Sequence, residues 1–336
     1  MQPARLWLRT FCAGFVIITA LLIVTLFTPP PYGDLSRIGR LSDAQFGWLQ
    51  PPPEVDPKLL HGVPLDQADV LIVGDSFSMT FYWQSALVRA GYRVATTYWG
   101  EIGYLCSNFS DRVREAGFQG KLVIVESVER EMHERLLKSE QCPLVVNKKL
   151  QPKTEPFTKP LTQKPQPGLN WSAKLTTGVI TYLNTRRAVE TKSDEQFGDE
   201  TLVRGVVDGC RQFSHQLCDR APFFKEDIDN GALTAADFER LQRITRGQSI
   251  PLMWMVIPNK TTVYVDPMHS RPFVQALDAA RYGPNLFAFA EAERFQVRDF
   301  YFPNDTHLSM HGQLALGERM LQAVKEVVPL PSERKP

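Results

Sequence analysis

The sequence predicts an α/β fold on a parallel central sheet, preceded by one N-terminal transmembrane helix and interrupted by a mainly helical insertion. Three observations carry this. Thr10 to Thr28 is an uncharged run behind Arg5 and Arg9. The apolar runs Val70–Val73, Leu122–Val125 and Pro251–Ile257 are each followed by polar or helix-forming segments, the alternation of parallel strand–helix units. Between 142 and 250 that alternation lapses, so 70–141 and 251–330 are read as one domain with an insertion.

Residues 1–28 form the membrane anchor. A hydrocarbon core of about 30 Å needs roughly 20 apolar residues, which Thr10–Thr28 supplies with help from Trp7 and Leu8. Arg5 and Arg9 keep the N-terminal flank in the cytoplasm. Pro29-Pro30-Pro31 stops the helix without a convincing cleavage site, so an uncleaved signal anchor is expected, single-pass in the inner (cell) membrane, with the rest facing the periplasm. Residues 29–69 are proline-rich and without sustained period, and read as a stalk in which Phe46 and Trp48 pack.

The chain has 38 Lys and Arg against 37 Asp and Glu, a formal charge of +1 with no basic stripe, which argues against nucleic acid as a partner. Cys12 lies in the membrane run. Cys106, Cys142, Cys210 and Cys218 remain for a disulfide-permitting compartment. Of their three pairings, Cys210 with Cys218 closes a short loop, leaving Cys106 with Cys142. Zinc fits less well, because these cysteines lack Cys-x-x-Cys spacing.

Val70-Leu-Ile-Val-Gly-Asp-Ser-Phe-Ser78 organises the rest. A strand ends at Gly74, Ser76 occupies a tight turn, and Met79–Ala90 reads as a helix whose first-turn N–H groups would face an anion beside Ser76. That arrangement suits an acyl-transfer nucleophile; Asp75 and Ser76 as simple helix caps explain the same residues. Near the other end, Asp305 and His307 stand two apart before a final helix, Ser309–Val327. Imidazole is the usual base for a serine hydroxyl and a carboxylate fixes its tautomer, so Ser76, His307 and Asp305 form the candidate triad. The alternative is a loop of turn and cap residues with a surface histidine.

Tyr92–Tyr98 reads as the second strand. It leads into Tyr98-Trp99-Gly100, where the aromatics suit stacking on a sugar face and Gly100, or Gly103, can lend an oxyanion N–H. Packing around a turn is the simpler account. A third strand from Gly120 to Val125 runs into a helix, Glu126–Leu137, whose Glu126, Glu129 and Arg130 fall near the ligand edge of the sheet. His133 with Glu134 is not a zinc motif, since Leu137 stands where the second histidine belongs.

Cys142–Lys174, with repeated proline and lysine, is the least ordered part by composition. Ala173–Glu190 and Thr234–Arg246 read as helices, the second opened by a Thr234/Asp237 capping box. Pro251–Ile257 suits a central strand, and Pro258–Tyr264 a loop at its ligand end where Lys260 and Tyr264 bind substrate or decorate the rim. A helix over Arg271–Arg281 and a strand or loop over Phe295–Phe300 lead to the Asp305 loop. His307 and His311 are four apart, but no third metal ligand is evident, so neither metal nor cofactor is expected.

Gly74-Asp75-Ser76 followed by a C-terminal Asp and His resembles the SGNH (GDSL-type) hydrolases. More narrowly, Gly74-Asp75-Ser76-Phe77-Ser78, Asp305-Thr306-His307, Glu126-Ser-Val-Glu-Arg130 and Pro258-Asn-Lys260-Thr-Thr-Val-Tyr264 resemble the AlgX/AlgJ-related polysaccharide O-acetyltransferases. The resemblance spans roughly 70–130 and 251 onward, not the middle. It implies a flavodoxin-like three-layer fold and acetyl transfer through an acetyl-serine to an exopolysaccharide hydroxyl. It also implies an acetyl donor, a polysaccharide acceptor and a membrane-bound acyl-transporting partner. Two departures stand out: the Asp-x-His pair follows the serine rather than preceding it, and the oxyanion asparagine expected after the third strand is absent, with Arg130 as its analogue. A carbohydrate esterase or deacetylase with the same triad, and a non-catalytic polysaccharide-binding assembly subunit, are the alternatives.

Overall fold

The computed structural model describes residues 3–142, 150–159, 161, 168–171 and 174–330. Much of the proline- and lysine-rich stretch after Cys142 lies outside them, as does Ala173, the expected start of the next helix. Among the described residues there are seven strands, β1 (Val70–Gly74), β2 (Val94–Tyr98), β3 (Leu122–Val128), β4 (Glu195–Phe197), β5 (Thr201–Gly205), β6 (Arg220–Phe224) and β7 (Leu252–Ile257). They divide between two compact units. One comprises the described residues of Met1–Gln50, Lys164–Lys225 and Phe302–Thr306, the other those of Pro51–Gln163, Glu226–Tyr301 and His307–Pro336.

The larger unit is α/β, with a four-stranded parallel sheet in the order β2-β1-β3-β7. Every residue of β1, β3 and β7 is buried, which is why Val70–Val73, Leu122–Val125 and Leu252–Ile257 read as unbroken apolar runs rather than alternating ones. The chain steps from β1 out to β2 and returns past β1 to β3, so the strand order reverses around β1. In open parallel sheets the C-terminal edge at such a reversal is the place for a ligand crevice. The core unites Val123, Val125, Trp254 and Val256 with Leu241 and Ile244 of the helix Ala235–Arg246.

Several expectations are corrected here. β7 is the outermost strand of the described sheet, not a central one; it is nevertheless buried, because Tyr282 and Gly283 lie along its open side. The Trp254 N–H donates to the Tyr282 carbonyl at 2.8 Å, and a Cβ on Gly283 would stand 1.8 Å from the Trp254 carbonyl oxygen. β3 continues to Val128, so Glu126 belongs to the strand and the helix begins at Glu129. The helix expected over Met79–Ala90 starts only at Gln84, after a 3₁₀ turn at Ser76–Ser78 and a left-handed residue, Phe81 at φ 62°. Of the strand or loop expected over Phe295–Phe300 the structure has the loop, and a helix not expected, Leu286–Glu293, precedes it. Part of the stretch thought least ordered is pinned to the outer edge of β2, where Lys153 bridges to Thr96.

The smaller unit holds the helix Pro3–Leu26, long and apolar enough to cross a membrane. Its other core gathers Leu41, Phe46, Ala188, Phe197 and Val203, so Phe46 does pack. Trp48 is also buried, tilted against Phe302 with ring centroids 5.6 Å apart. The insertion 142–250 carries the expected helices, Thr177–Glu190 and Ala235–Arg246, the second opened by the Thr234/Asp237 capping box, and also an antiparallel sheet, β4-β5-β6, that was not expected. Its strands are three to five residues long, and β6 contains Pro222, which an edge strand tolerates. The disulfides are Cys210–Cys218 in this unit and Cys106–Cys142 in the larger one.

Candidate active site

Ser76 stands two residues beyond the end of β1, half-buried, with His307 Nε2 2.8 Å from its Oγ. The imidazole is held from below by Phe77, whose ring centroid lies 4.8 Å away and whose side chain is 1 % exposed. Behind Phe77 stands Tyr301, which donates its hydroxyl to the Pro258 carbonyl. An antiparallel bridge between Tyr301 and Leu308, with the Ser309 N–H on the Phe300 carbonyl at 3.0 Å, fixes the backbone around His307. Ser309 then caps the helix Met310–Val327 through its hydroxyl. Gly312 allows that helix to approach: a Cβ there would lie 2.0 Å from the Phe300 carbonyl oxygen.

The turn carrying Ser76 rests on a buried network that the sequence did not suggest. Asp75 accepts from the Phe77 N–H at 3.0 Å, from the Val128 N–H at 2.9 Å and from Arg135 Nη1 at 2.8 Å. Glu126, fully buried, accepts from the Asp75 N–H at 2.6 Å and from the Ser78 hydroxyl at 3.0 Å. Burial would lift the Asp75 carboxyl, but the Arg135 guanidinium and the hydrogen bonds, one of them from Glu126, hold it below its ordinary value. Glu126 moves the other way, pushed well up by burial and then by the Asp75 charge. The shifts are opposite in sign, favouring the charged form of Asp75 and the neutral form of Glu126. A Cβ on Gly74 would meet Ser78 Oγ at 2.4 Å and Glu126 Oε2 at 2.8 Å, so the glycine is required for this approach. Arg135 had a signal in the sequence: it lies with Met132 and Leu136 on the buried face of its helix, where a cation needs a carboxylate.

The expected anion-facing N–H groups are engaged in the turn itself. Phe77 donates to Asp75 Oδ1, Ser78 to the Asp75 carbonyl at 3.0 Å and Met79 to the Ser76 carbonyl at 3.3 Å. Gly100 takes a comparable place on the next strand. Gly74 pairs with Tyr98 in register, so Ser76 and Gly100 each lie two residues beyond a paired position at the same sheet edge. Gly100 is exposed in the first turn of the four-residue helix Trp99–Ile102, where N–H groups lack intrahelical acceptors.

The aromatic residues of that corner are fixed rather than free. Trp99 is 8 % exposed, donates to the Glu126 carbonyl at 2.8 Å and is covered by the Arg135 guanidinium. Tyr98, half-buried, meets Phe157 edge-on at 5.3 Å. Arg130 pairs with Asp227 at 3.2 Å, its side chain 10 % exposed. Lys260 and Tyr264 lie in the helical turn Lys260–Tyr264 and are buried, so neither stands on a solvent-facing rim. Tyr264 Oη accepts the Tyr301 N–H at 3.3 Å, and burial lifts its phenol far above the usual range. Glu129 is likewise buried, bound to the Asn259 N–H and to the Thr262 and Ser270 hydroxyls, and does not face solvent.

Asp305 belongs to the smaller unit, on the segment Phe302–Thr306. There its Oδ2 accepts the Asp34 N–H at 2.9 Å, while the Asp34 carboxylate accepts from the Thr306 N–H at 2.9 Å and from its hydroxyl at 2.6 Å. Asn304 donates to Asp43 Oδ1 at 2.9 Å, and Asp43 Oδ2 takes the Tyr32 N–H. The presumed stalk thus supplies the residues that hold the Asp305 segment, and Asp34 had no distinguishing signal in a stretch read as a spacer. Comparison of the chain with models of known families, with curated proteins and with solved structures gave no match.

Proposed function

We propose that this chain is a membrane-anchored, extracytoplasmic serine O-acetyltransferase of the SGNH type, acting on a polysaccharide hydroxyl. The observation that carries the reading is the 2.8 Å approach of His307 Nε2 to Ser76 Oγ at the C-terminal edge of a parallel sheet, where the strand order reverses. In this reading Ser76 Oγ attacks the acetyl carbonyl carbon of the donor as its proton passes to His307 Nε2. The oxyanion that forms is met by the Gly100 N–H, and the imidazolium returns the proton to the departing donor group. The acceptor hydroxyl then attacks the acetyl-serine with His307 again as base, and Ser76 leaves with the proton. Asp305, two residues before His307 in the chain, is the carboxylate assigned to orient the ring. Resemblance of the motifs, rather than geometry, selects acetyl and polysaccharide, and supplies the expectation of a membrane-bound acyl-transporting partner.

Both Ser76 and His307 are half-exposed, which favours a second reading, an esterase or deacetylase using the same groups with water as acceptor. The full chain in detergent, given a chromogenic acetyl ester with and without oligosaccharides, separates the two. Acetyl on the Ser76 peptide and then on sugar, both lost in Ser76→Ala, supports the transferase. Ester loss without acetylated sugar supports the esterase. A Ser76→Ala variant with full cellular function would overturn both and point to a polysaccharide-binding subunit.

A further inference from the structure

The C-terminal end of the helix Pro3–Leu26 is tied to a second stretch of chain. The Leu26 carbonyl, one of the last-turn acceptors that a helix leaves unpaired, takes the Asn170 N–H at 2.9 Å. Thr25 is buried; its hydroxyl donates to the Leu175 carbonyl at 2.9 Å and accepts the Gly178 N–H at 3.1 Å. A Cβ on Gly178 would lie 2.7 Å from Thr25 Cα, so the contact is backbone to backbone. These bonds fix the depth of residues 169–171 relative to the helix. Asn170 is 7 % exposed, whereas its neighbours Trp171 and Leu169 are 80 % and 44 % exposed, and Phe27 is 68 % exposed.

A helix spanning a hydrocarbon core of about 30 Å uses roughly 20 residues at about 1.5 Å each. Counted from Arg9, the last charge before the apolar run, the span ends near Leu26 and Thr28. Asn170 touches the helix at that level, and Trp171 Cα is one peptide further, about 3.8 Å away. The interfacial zone beyond the core is about 5–8 Å thick on each side, which is within reach of an indole carried at that distance. An exposed indole with an apolar body and an N–H is the side chain that settles at such a boundary.

We propose that Trp171, with Leu169 and Phe27, is an interfacial anchor inserted among the lipid headgroups on the outer side of the membrane, a second attachment beside the spanning helix. The inference goes beyond the catalytic reading and rests on Pro3–Leu26 crossing the bilayer. It is tested on the full chain in lipid nanodiscs, with Cys12→Ala removing the free thiol. Single cysteines replacing Trp171 or Ile18 carry a nitroxide, and relaxation by oxygen is compared with that by a water-soluble nickel complex. Since Trp171 is mostly exposed, its replacement leaves packing intact. The expected ratio of oxygen to nickel effect at 171 lies several-fold above that of a free nitroxide in buffer and below that at 18. A ratio at 171 equal to the free label, with 18 still shielded, overturns the anchor and leaves the span standing. A water-accessible label at 18 overturns the span and the anchor together, and neither outcome touches the Ser76 chemistry.

Discussion

The Asp34 N–H donates to Asp305 Oδ2 at 2.9 Å, and the Asp34 carboxylate takes both the N–H and the hydroxyl of Thr306. Each aspartate thus fixes the other's segment. Thr306 is 4 % exposed, so removing the Asp34 carboxylate costs a buried segment two hydrogen bonds to a charged acceptor, each about 1.5–3 kcal/mol. Asp34→Ala is therefore expected to lower acetyl-ester turnover and to lower the midpoint of thermal unfolding, with Asp34→Asn recovering part of both because its amide oxygen still accepts. Turnover and calorimetry on the two variants decide it; an alanine variant with wild-type turnover would remove Asp34 from any role in holding the site.

The parallel sheet was legible because strands buried on both faces read as short apolar runs, Val70–Val73, Leu122–Val125 and Leu252–Ile257. The Ser76 turn was legible for the same reason, a glycine and two small polar residues closing an apolar run. Less legible was everything that depends on partners distant in sequence. Glu126 reads as a helix-opening acid, and only the fold shows it buried beside Asp75, more than fifty residues away, where burial favours its neutral form. The Lys260 and Tyr264 expectations failed because a polar residue after a strand is equally consistent with a rim and with a buried turn. The strands β4 to β6 are too short, and too interrupted by Arg220 and Pro222, for a period of two to emerge.

The disulfides give a prediction about relative weight. Cys106 and Cys142 are 36 residues apart and Cys210 and Cys218 only 8. On the chain-entropy account, the longer loop contributes about 4 kcal/mol and the shorter about 2.5 kcal/mol. The longer one also ties the residue after the helix Glu129–Gln141, which carries Arg135, to the stretch following Trp99–Ile102. Replacing Cys106 and Cys142 with serine is expected to lower unfolding free energy more than replacing Cys210 and Cys218, and to lower turnover as well. Denaturant titration of the two double variants measures the difference, and equal losses would mean that loop length is not what sets it.

The upward shift at Glu126 makes stability depend on pH in a definite direction. An unfolded chain releases the Glu126 proton near the ordinary value of 4.5, whereas burial and the neighbouring Asp75 charge hold it far above that in the folded protein. Between the two values the folded state carries one more proton than the unfolded state, so this stabilisation is complete below the ordinary glutamate range and is lost as pH rises toward the folded value. Glu126→Gln cannot titrate, and its amide oxygen can still accept from the Asp75 N–H and the Ser78 hydroxyl. The contribution of Asp75 has the opposite sign and is lost in acid, below the window over which Glu126 titrates, so it does not set the slope there. The variant is therefore expected to gain on the wild type by up to about 1.4 kcal/mol per pH unit across that window. Unfolding free energies at acidic, neutral and mildly alkaline pH give the slope directly. Parallel curves would mean that Glu126 is ionised in the folded protein, and the network under Ser76 would then have to be redrawn with two charges facing Arg135.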